Sequence, residues 1–305
     1  MNNHGQVDGI PVHVLRGRRI EAAVAPALGG KLLRLRSLPD GREWMWAPAD
    51  GRGLFASAAG TPFEDGSLCG ADDCFPTVAP CIRDGRVLPD HGESWTTPAD
   101  VVHATDSALR LRQRLDSGVL LRSWRVADDC LRMDYALRAR GPSPWLWAFH
   151  PLLACAPGDV LHLPDEVRQL RVESQSGLPG TLGSGHWAWP TPGEGVRLDR
   201  LDLGTGRRAT AKLFAAMPAR EVAVAVQRQH DALTLRFDGR HAPWLGLWLS
   251  QDGWHGHRHV AIEPSTADAD VPPLQAAPET RGRTLRWWLE LAIQPTLGSM
   301  REDAR

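Results

Sequence analysis

The sequence predicts an all-β protein, a large antiparallel β-sandwich. Three observations predict it: apolar and polar residues alternate over many short runs, turn formers separate those runs, and no long stretch carries a capped 3.6-residue apolar period. Strands are expected over residues 12–15, 18–24, 31–36, 101–105, 109–115, 119–126, 131–139, 145–153, 209–215, 222–228, 233–237, 244–249 and 285–293. Pro39-Asp40-Gly41, Asp116-Ser117-Gly118, Asp128-Asp129 and Asp238-Gly239 supply turns between them. Leu109, Leu111 and Gln113 alternate with Arg110, Arg112 and Arg114 before such a turn, the pattern of a hairpin with one wet face. Short strands at this spacing make residues 1–305 a single sandwich domain.

At 305 residues the chain is long enough to bury roughly 75% of its unfolded surface. With 35 Lys+Arg against 36 Asp+Glu, it has no electrostatic preference for nucleic acid or an anionic membrane. The polar N-terminus lacks an apolar core, and no run approaches the ~18 apolar residues of a membrane span, so a cytoplasmic protein is expected, a monomer or homodimer. Cys69, Cys74, Cys81, Cys130 and Cys155 form no C-x-x-C pair and are odd in number, which favours free thiols over a disulfide framework. The spacing of the first three is not that of a zinc site. Thirteen Trp, against six Phe and one Tyr, would offer flat apolar platforms for the C–H faces of a sugar, each with an N–H at its edge.

Two stretches break the alternation. Residues 47–95 are rich in Gly, Pro, Ala and Asp, and residues 177–206 in Gly, Pro and Trp. Long loops in compact domains carry function or disorder. The first holds too many aromatic and titratable groups for a linker and is expected to form one wall of a site. Residues 271–278, biased to Ala and Pro, read as a surface loop before the last strand.

Three segments could carry chemistry. In Arg258-His259-Val260-Ala261-Ile262-Glu263-Pro264, Val260 and Ile262 take one face, leaving Glu263 and the small Ala261 on the other. Pro264 is expected to stop the ladder and leave the carboxylate at a strand end beside a vacant spot. Trp145-Leu146-Trp147-Ala148-Phe149-His150-Pro151 is a second apolar strand ending in a titratable residue stopped by proline. His150 there needs a hydrogen bond, or it costs ~1–3 kcal/mol. Pro89-Asp90-His91-Gly92-Glu93-Ser94-Trp95 presents His91 from a tight bend with Trp95 nearby.

Together with Ala71-Asp72-Asp73-Cys74-Phe75-Pro76-Thr77, Gly29-Gly30-Lys31-Leu32 and Gly246-Leu247-Trp248, these segments resemble, in order and separation, the aldose 1-epimerase (galactose mutarotase-like) family. The resemblance implies a large antiparallel supersandwich and no cofactor or metal. It also implies a small-molecule aldose as substrate, Glu263 as general base, His150 as general acid and His91 as a sugar contact. The chemistry is coherent: a base takes the anomeric hydroxyl proton, an acid protonates the ring oxygen, the C1–O5 bond opens and the ring recloses. Glu, of reference pKa ~4.3, is ionised at neutral pH, and His, of reference pKa ~6.5, is expected to keep its proton beside a carboxylate. The chain departs from the family in its early loop, where an Asn-Arg pair is replaced by Asp72-Asp73, and it lacks the Arg-Gly-Gly pattern of the hexose-6-phosphate branch. Asp72 or Asp73 is expected to hold sugar hydroxyls and repel phosphate, favouring a neutral aldose. Trp95, Trp147, Trp248 and Trp254 are candidate stacking platforms.

Three other readings compete. His255, His257 and His259 alternate and could join Glu263 as metal ligands, although Asp252-Gly253 and Gly256 argue for a loop there. Glu93 or Asp73 could oppose Glu263 as the carboxylate pair of a glycoside hydrolase. The same sandwich could also bind a sugar without turnover.

Overall fold

The computed structural model describes residues 4–49, 53–141, 143–178, 182–193, 195–204, 206, 208–274 and 283–296. Among them, strands form an eleven-stranded sheet, an eight-stranded sheet and a two-stranded ribbon, all antiparallel within their ladders. From edge to edge, the larger sheet runs His4–Val7, Ile10–Arg16, Ile20–Ala25, Lys31–Ser37, Ala71–Cys74, Ala148–Leu153, His257–Ser265, Trp244–Trp254, Ala209–Ala216, Gln169–Ser176 and His186–Ala188. The smaller runs Val160–His162, Glu221–Gln227, Asp231–Asp238, Leu285–Pro295, Cys130–Ala139, Gly118–Ala127, Ala108–Leu115 and Asp100–Ala104. The all-β sandwich expected from the alternation is the observed architecture. No helix of the described residues is long and apolar enough to cross a membrane.

One apolar cluster fills the space between the sheets, with Leu32, Phe75, Trp147, Phe149 and Ile262 from one side and Leu111, Trp124, Met133, Leu289 and Leu291 from the other. Each fully buried side chain of this size stabilises by about 1.5–3 kcal/mol. Ala148–Leu153 is buried on both faces, which is why its sequence is apolar at every position but His150 rather than alternating. Its inward face joins the inter-sheet core through Phe149. Leu152, on the outward face, joins a second, smaller cluster of Trp46, Phe63, Leu68, Trp95 and Ala261.

A buried polar clamp ties the sheets together. Arg122, 1% exposed, reaches from the smaller sheet to Asp73 (2.9 Å), donates to the Gly29 carbonyl and also bonds Gln113. Gly30 makes the guanidinium's room: it lies at φ +77, and a Cβ there would sit 2.6 Å from Arg122 Nη2.

The prolines act differently from expectation. Neither Pro151 nor Pro264 ends its strand; the strands run on to Leu153 and Ser265. Between these two neighbours, however, the ladder pairs Ala148 with Ser265 and then resumes only at Leu152 with Ala261. That register sets His150 directly opposite Glu263, inside the unpaired interval. Each proline removes one backbone donor there, so the ladder opens between two central strands where both titratable residues stand.

Ala71–Cys74 is a strand inside the segment read as a loop. Its Ala-Asp-Asp-Cys sequence shows no alternation because a paired carboxylate is buried on each face.

Candidate active site

The register builds a row across the outward face of the larger sheet: Asp72 opposite His150, His150 opposite Glu263, Glu263 opposite Gly246, and Gly246 opposite Phe214. In the next row Ala261 faces Trp248, and Trp248 faces Lys212. Over these rows lies a cavity of about 270 Å³, lined by Phe63, Asp90, His91, His150, Lys212, Trp248, Trp254, His259 and Asp270 among others. This is near the low end of small-molecule pockets and suits one sugar ring better than an oligosaccharide.

Glu263 is 1% exposed and sits behind the cavity lining, in contact with His150 and Lys212, which do line it. Its Oε2 accepts from Lys212 Nζ at 2.6 Å, while Oε1 is 3.6 Å from His150 Nε2 and has no hydrogen-bond partner. The room beside the carboxylate comes from Gly246, since a Cβ there would lie 3.3 Å from Glu263 Oε2. Ala261 provides none: it is fully buried beneath Leu152 and Trp248. Lys212 also contacts Asp270 Oδ1 at 3.0 Å. Burial alone would lower the lysine pKa, but Asp270 and Glu263 hold it above its usual value. Burial raises the Glu263 carboxyl and Lys212 opposes the rise; with the ammonium in contact, the pair is ionic, with a carboxylate more basic than an exposed one.

His150 departs from expectation in its charge. Burial first, then the neighbouring charges of His91 and Lys212, push its imidazole well below 6.5. The adjacent carboxylate does not offset this shift, because its charge is already met by Lys212 and it is too far for a hydrogen bond. His91 sits in the cavity wall at φ +56, its ring stacked on Phe63 (3.7 Å between centroids) and edge-on to His150 (4.9 Å). Its Nδ1 lies 2.8 Å from Asp90 Oδ1. The expected wall therefore forms: residues 47–95 bring Phe63, Asp90 and His91 to the cavity. The second irregular stretch instead packs Leu198, Leu203 and Trp187 into the inter-sheet core.

The acidic pair does not line the cavity. Asp72 faces outward but is buried against Lys31 at 2.5 Å, and Asp73 faces the inter-sheet core, held by Arg122 and by Trp147 Nε1 at 2.9 Å. A buried carboxylate needs such partners, so neither is free for sugar hydroxyls. Trp147 is likewise a core residue, fully buried among Tyr135 and Trp287. Trp95 is 4% exposed; it donates to the Asp90 carbonyl and props Phe63, supporting the wall from behind. Trp248 and Trp254 do line the cavity.

The three alternate histidines are divided. His255 occupies a turn at φ +50 and contacts Glu64, whereas His259 accepts from Trp248 Nε1 at 3.1 Å and is pushed down to about 3 by burial and then by His257. Among the described residues no three His, Cys, Asp or Glu side chains are grouped to hold a metal ion. The hydrolase pair is also absent: Asp73 is in the core, and Glu93 accepts from Ser117 instead of facing Glu263.

Sequence reading missed Lys212, Asp270 and Phe63. Lys212 had a visible marker: it and Lys31 are the only lysines in a chain with 35 Lys+Arg. Both are buried in strands against carboxylates. Asp270 had none, because it depends on how residues 266–274 fold back; its backbone carbonyl accepts from Val78 and Ala79. The surface loop expected at 271–278 is described only through residue 274, and the rest lies outside the described residues.

No protein-family model matches the sequence, and a search of curated proteins finds no match. Solved structures do match in fold. A protein of Escherichia coli K12, provisionally named an aldose 1-epimerase, superposes with a TM-score of 0.66 at 13% identity, over 93% of this chain and 99% of that one. A galactose mutarotase related enzyme from Lactobacillus acidophilus gives 0.62 at 12%, over 93% and 97%. A galactose mutarotase-like protein from Lactobacillus casei gives 0.61 at 16%, over 93% and 100%. The fold of this chain is thus the galactose mutarotase-like fold.

Proposed function

We propose that this chain, a single domain with the galactose mutarotase-like fold, is an aldose 1-epimerase that interconverts the α and β anomers of a neutral monosaccharide. The observation that carries the reading is the opening of the ladder at Pro151 and Pro264, which sets His150, in the lining of a cavity with an indole-bearing wall, opposite the buried Glu263. Glu263, made more basic by burial, takes the proton from the anomeric hydroxyl through Oε1. A histidine of the cavity wall returns one to the ring oxygen as C1–O5 breaks, and the reverse steps follow rotation about C1–C2. Trp248 and Trp254 offer apolar faces to the sugar ring.

The preference for a neutral sugar rests on Lys212. Among the described lining residues it is the one Lys or Arg, and two carboxylates already meet its charge. Glu64, Asp90 and Asp270 in the same lining disfavour a phosphate.

Polarimetry on freshly dissolved α-glucose and α-galactose tests the reading: the protein should speed the drift to equilibrium rotation. Calorimetric sugar binding without that acceleration would identify a non-catalytic binding module instead.

A further inference from the structure

Two imidazoles share the cavity wall, their centroids 4.9 Å apart. At this distance they do not readily carry charge together, so the surroundings select one of them. His150 has no carboxylate within hydrogen-bond range: the nearest oxygen, Glu263 Oε1, is 3.6 Å away, and the charge of that carboxylate is met at Oε2 by Lys212. His91 has one of its own. Asp90 Oδ1 lies 2.8 Å from Nδ1, and Oδ2 accepts the Phe63 backbone N–H at 2.8 Å. The Asp90 carbonyl accepts from Trp95 Nε1. The carboxylate is fixed at both ends before any ligand arrives.

The ring is fixed as well. It lies flat on Phe63, 7° from parallel, and the backbone of His91 is held in the left-handed region, a strained setting for a non-glycine residue. Gly92 is packed so tightly on Phe75 that a Cβ would lie 2.3 Å from the Phe75 carbonyl oxygen. With Nδ1 committed to Asp90, Nε2 is the nitrogen left for a ligand.

We propose that His91, with Asp90 as its positioning residue, is the catalytic acid that delivers a proton from Nε2 to the ring oxygen, and that His150 is a polar contact. The inference rests on the anomer-interconversion reading. In ring opening, Glu263 gains the O1 proton, C1=O1 forms, C1–O5 breaks, and O5 takes the proton from His91 Nε2; ring closure returns both protons. The groups facing His91 agree with this. Asp90 belongs to its own loop, while Asp72, His150 and Glu263 come from three neighbouring strands; the outer two of these carry carboxylates paired to Lys31 and Lys212. Burial alone would raise Asp90, yet its hydrogen bond and charge contact with His91 bring it below 3.8, keeping it ionised.

Asp90→Asn tests this while preserving an acceptor for Phe63. With the full chain and a sugar that the wild type anomerises, kcat is expected to fall ~10-fold or more with KM nearly unchanged. The alkaline limb of the pH–rate profile should move about one unit or more lower. Nitrogen-15 NMR of the wild type should show His91 with Nδ1 protonated and His150 neutral from pH 6 to 8, and Asp90→Asn should release the His91 tautomer. An active wild type whose limb is unmoved by Asp90→Asn, or NMR showing the proton on His150, overturns this inference alone. A folded wild type that anomerises none of the aldoses overturns the functional reading and this inference together.

Discussion

Lys212 caps Glu263: its ammonium nitrogen lies 2.6 Å from Oε2, and both side chains are almost wholly removed from solvent. The contact leaves only Oε1 for chemistry, and Asp270 completes the bridge on the other side.

Removing the cap should unbalance the site. Lys212→Met leaves Glu263 and Asp270 buried without a counter-charge, a change expected to cost about 3–5 kcal/mol. Adding Glu263→Gln should recover part of that loss, because it removes one of the orphaned charges. Urea unfolding of both singles and the double mutant gives the coupling; strict additivity would show that the pair is not energetically linked.

Stability should fall in mild acid through His259. Its folded pKa is about 3 against 6.5 unfolded, so below pH 6.5 the unfolded chain binds a proton that the folded chain refuses. The contribution is intact above pH 6.5 and is lost as pH falls toward 3, by about 2 kcal/mol between pH 7 and 5. His150, also depressed, adds in the same direction. Unfolding free energies of wild type and His259→Gln at both pH values check this: the variant should lose about 2 kcal/mol less on acidification. Parallel pH dependences would contradict it.

Gly246→Ala should disturb catalysis more than folding. The added methyl would meet Glu263 Cβ and Oε2 and Phe214 Cε1, each at 3.3 Å, so the carboxylate must shift by a few tenths of an ångström. A drop in turnover with an unchanged melting temperature is expected. Ala261→Leu, by contrast, places bulk in a sealed layer between Leu152 and Trp248. It should destabilise by about 1–3 kcal/mol rather than act as a substrate block alone. Calorimetric melting of the two variants separates the effects, and an Ala261→Leu protein as stable as wild type would mean the layer is looser than described.

Trp248 should contribute to substrate affinity. Trp248→Ala removes an indole face from the cavity and the donor to His259. KM should rise roughly 3- to 10-fold, the scale of an aromatic contact, with a smaller change in kcat. An unaltered KM would place the sugar against Trp254 or elsewhere in the cavity.

Much of this was legible in the sequence, for identifiable reasons. The run predicted at 209–215 is the strand Ala209–Ala216, and that at 285–293 is Leu285–Pro295. In both, one face packs into a core, so period-two alternation survives. Glu263, His150 and His91 do converge, because proline and glycine mark the ladder opening and the loop bend that present them. Burial on both faces defeats the same reasoning. Asp72 and Asp73 read as an acidic loop, but their partners Lys31 and Arg122 stand 41 and 49 residues away. Such distant pairings leave no local pattern. The pairing of Lys212 with Glu263, 51 residues apart, is hidden for the same reason.

The central claim is that Glu263 is the base of a sugar anomerisation. Its most direct test is the optical rotation of freshly dissolved α-galactose and α-glucose with wild type and folded Glu263→Gln. Wild type should accelerate the drift, and the variant should be slower by ~10²-fold or more. Equal rates for the two proteins, or a wild type no faster than buffer with any of the aldoses, would contradict it.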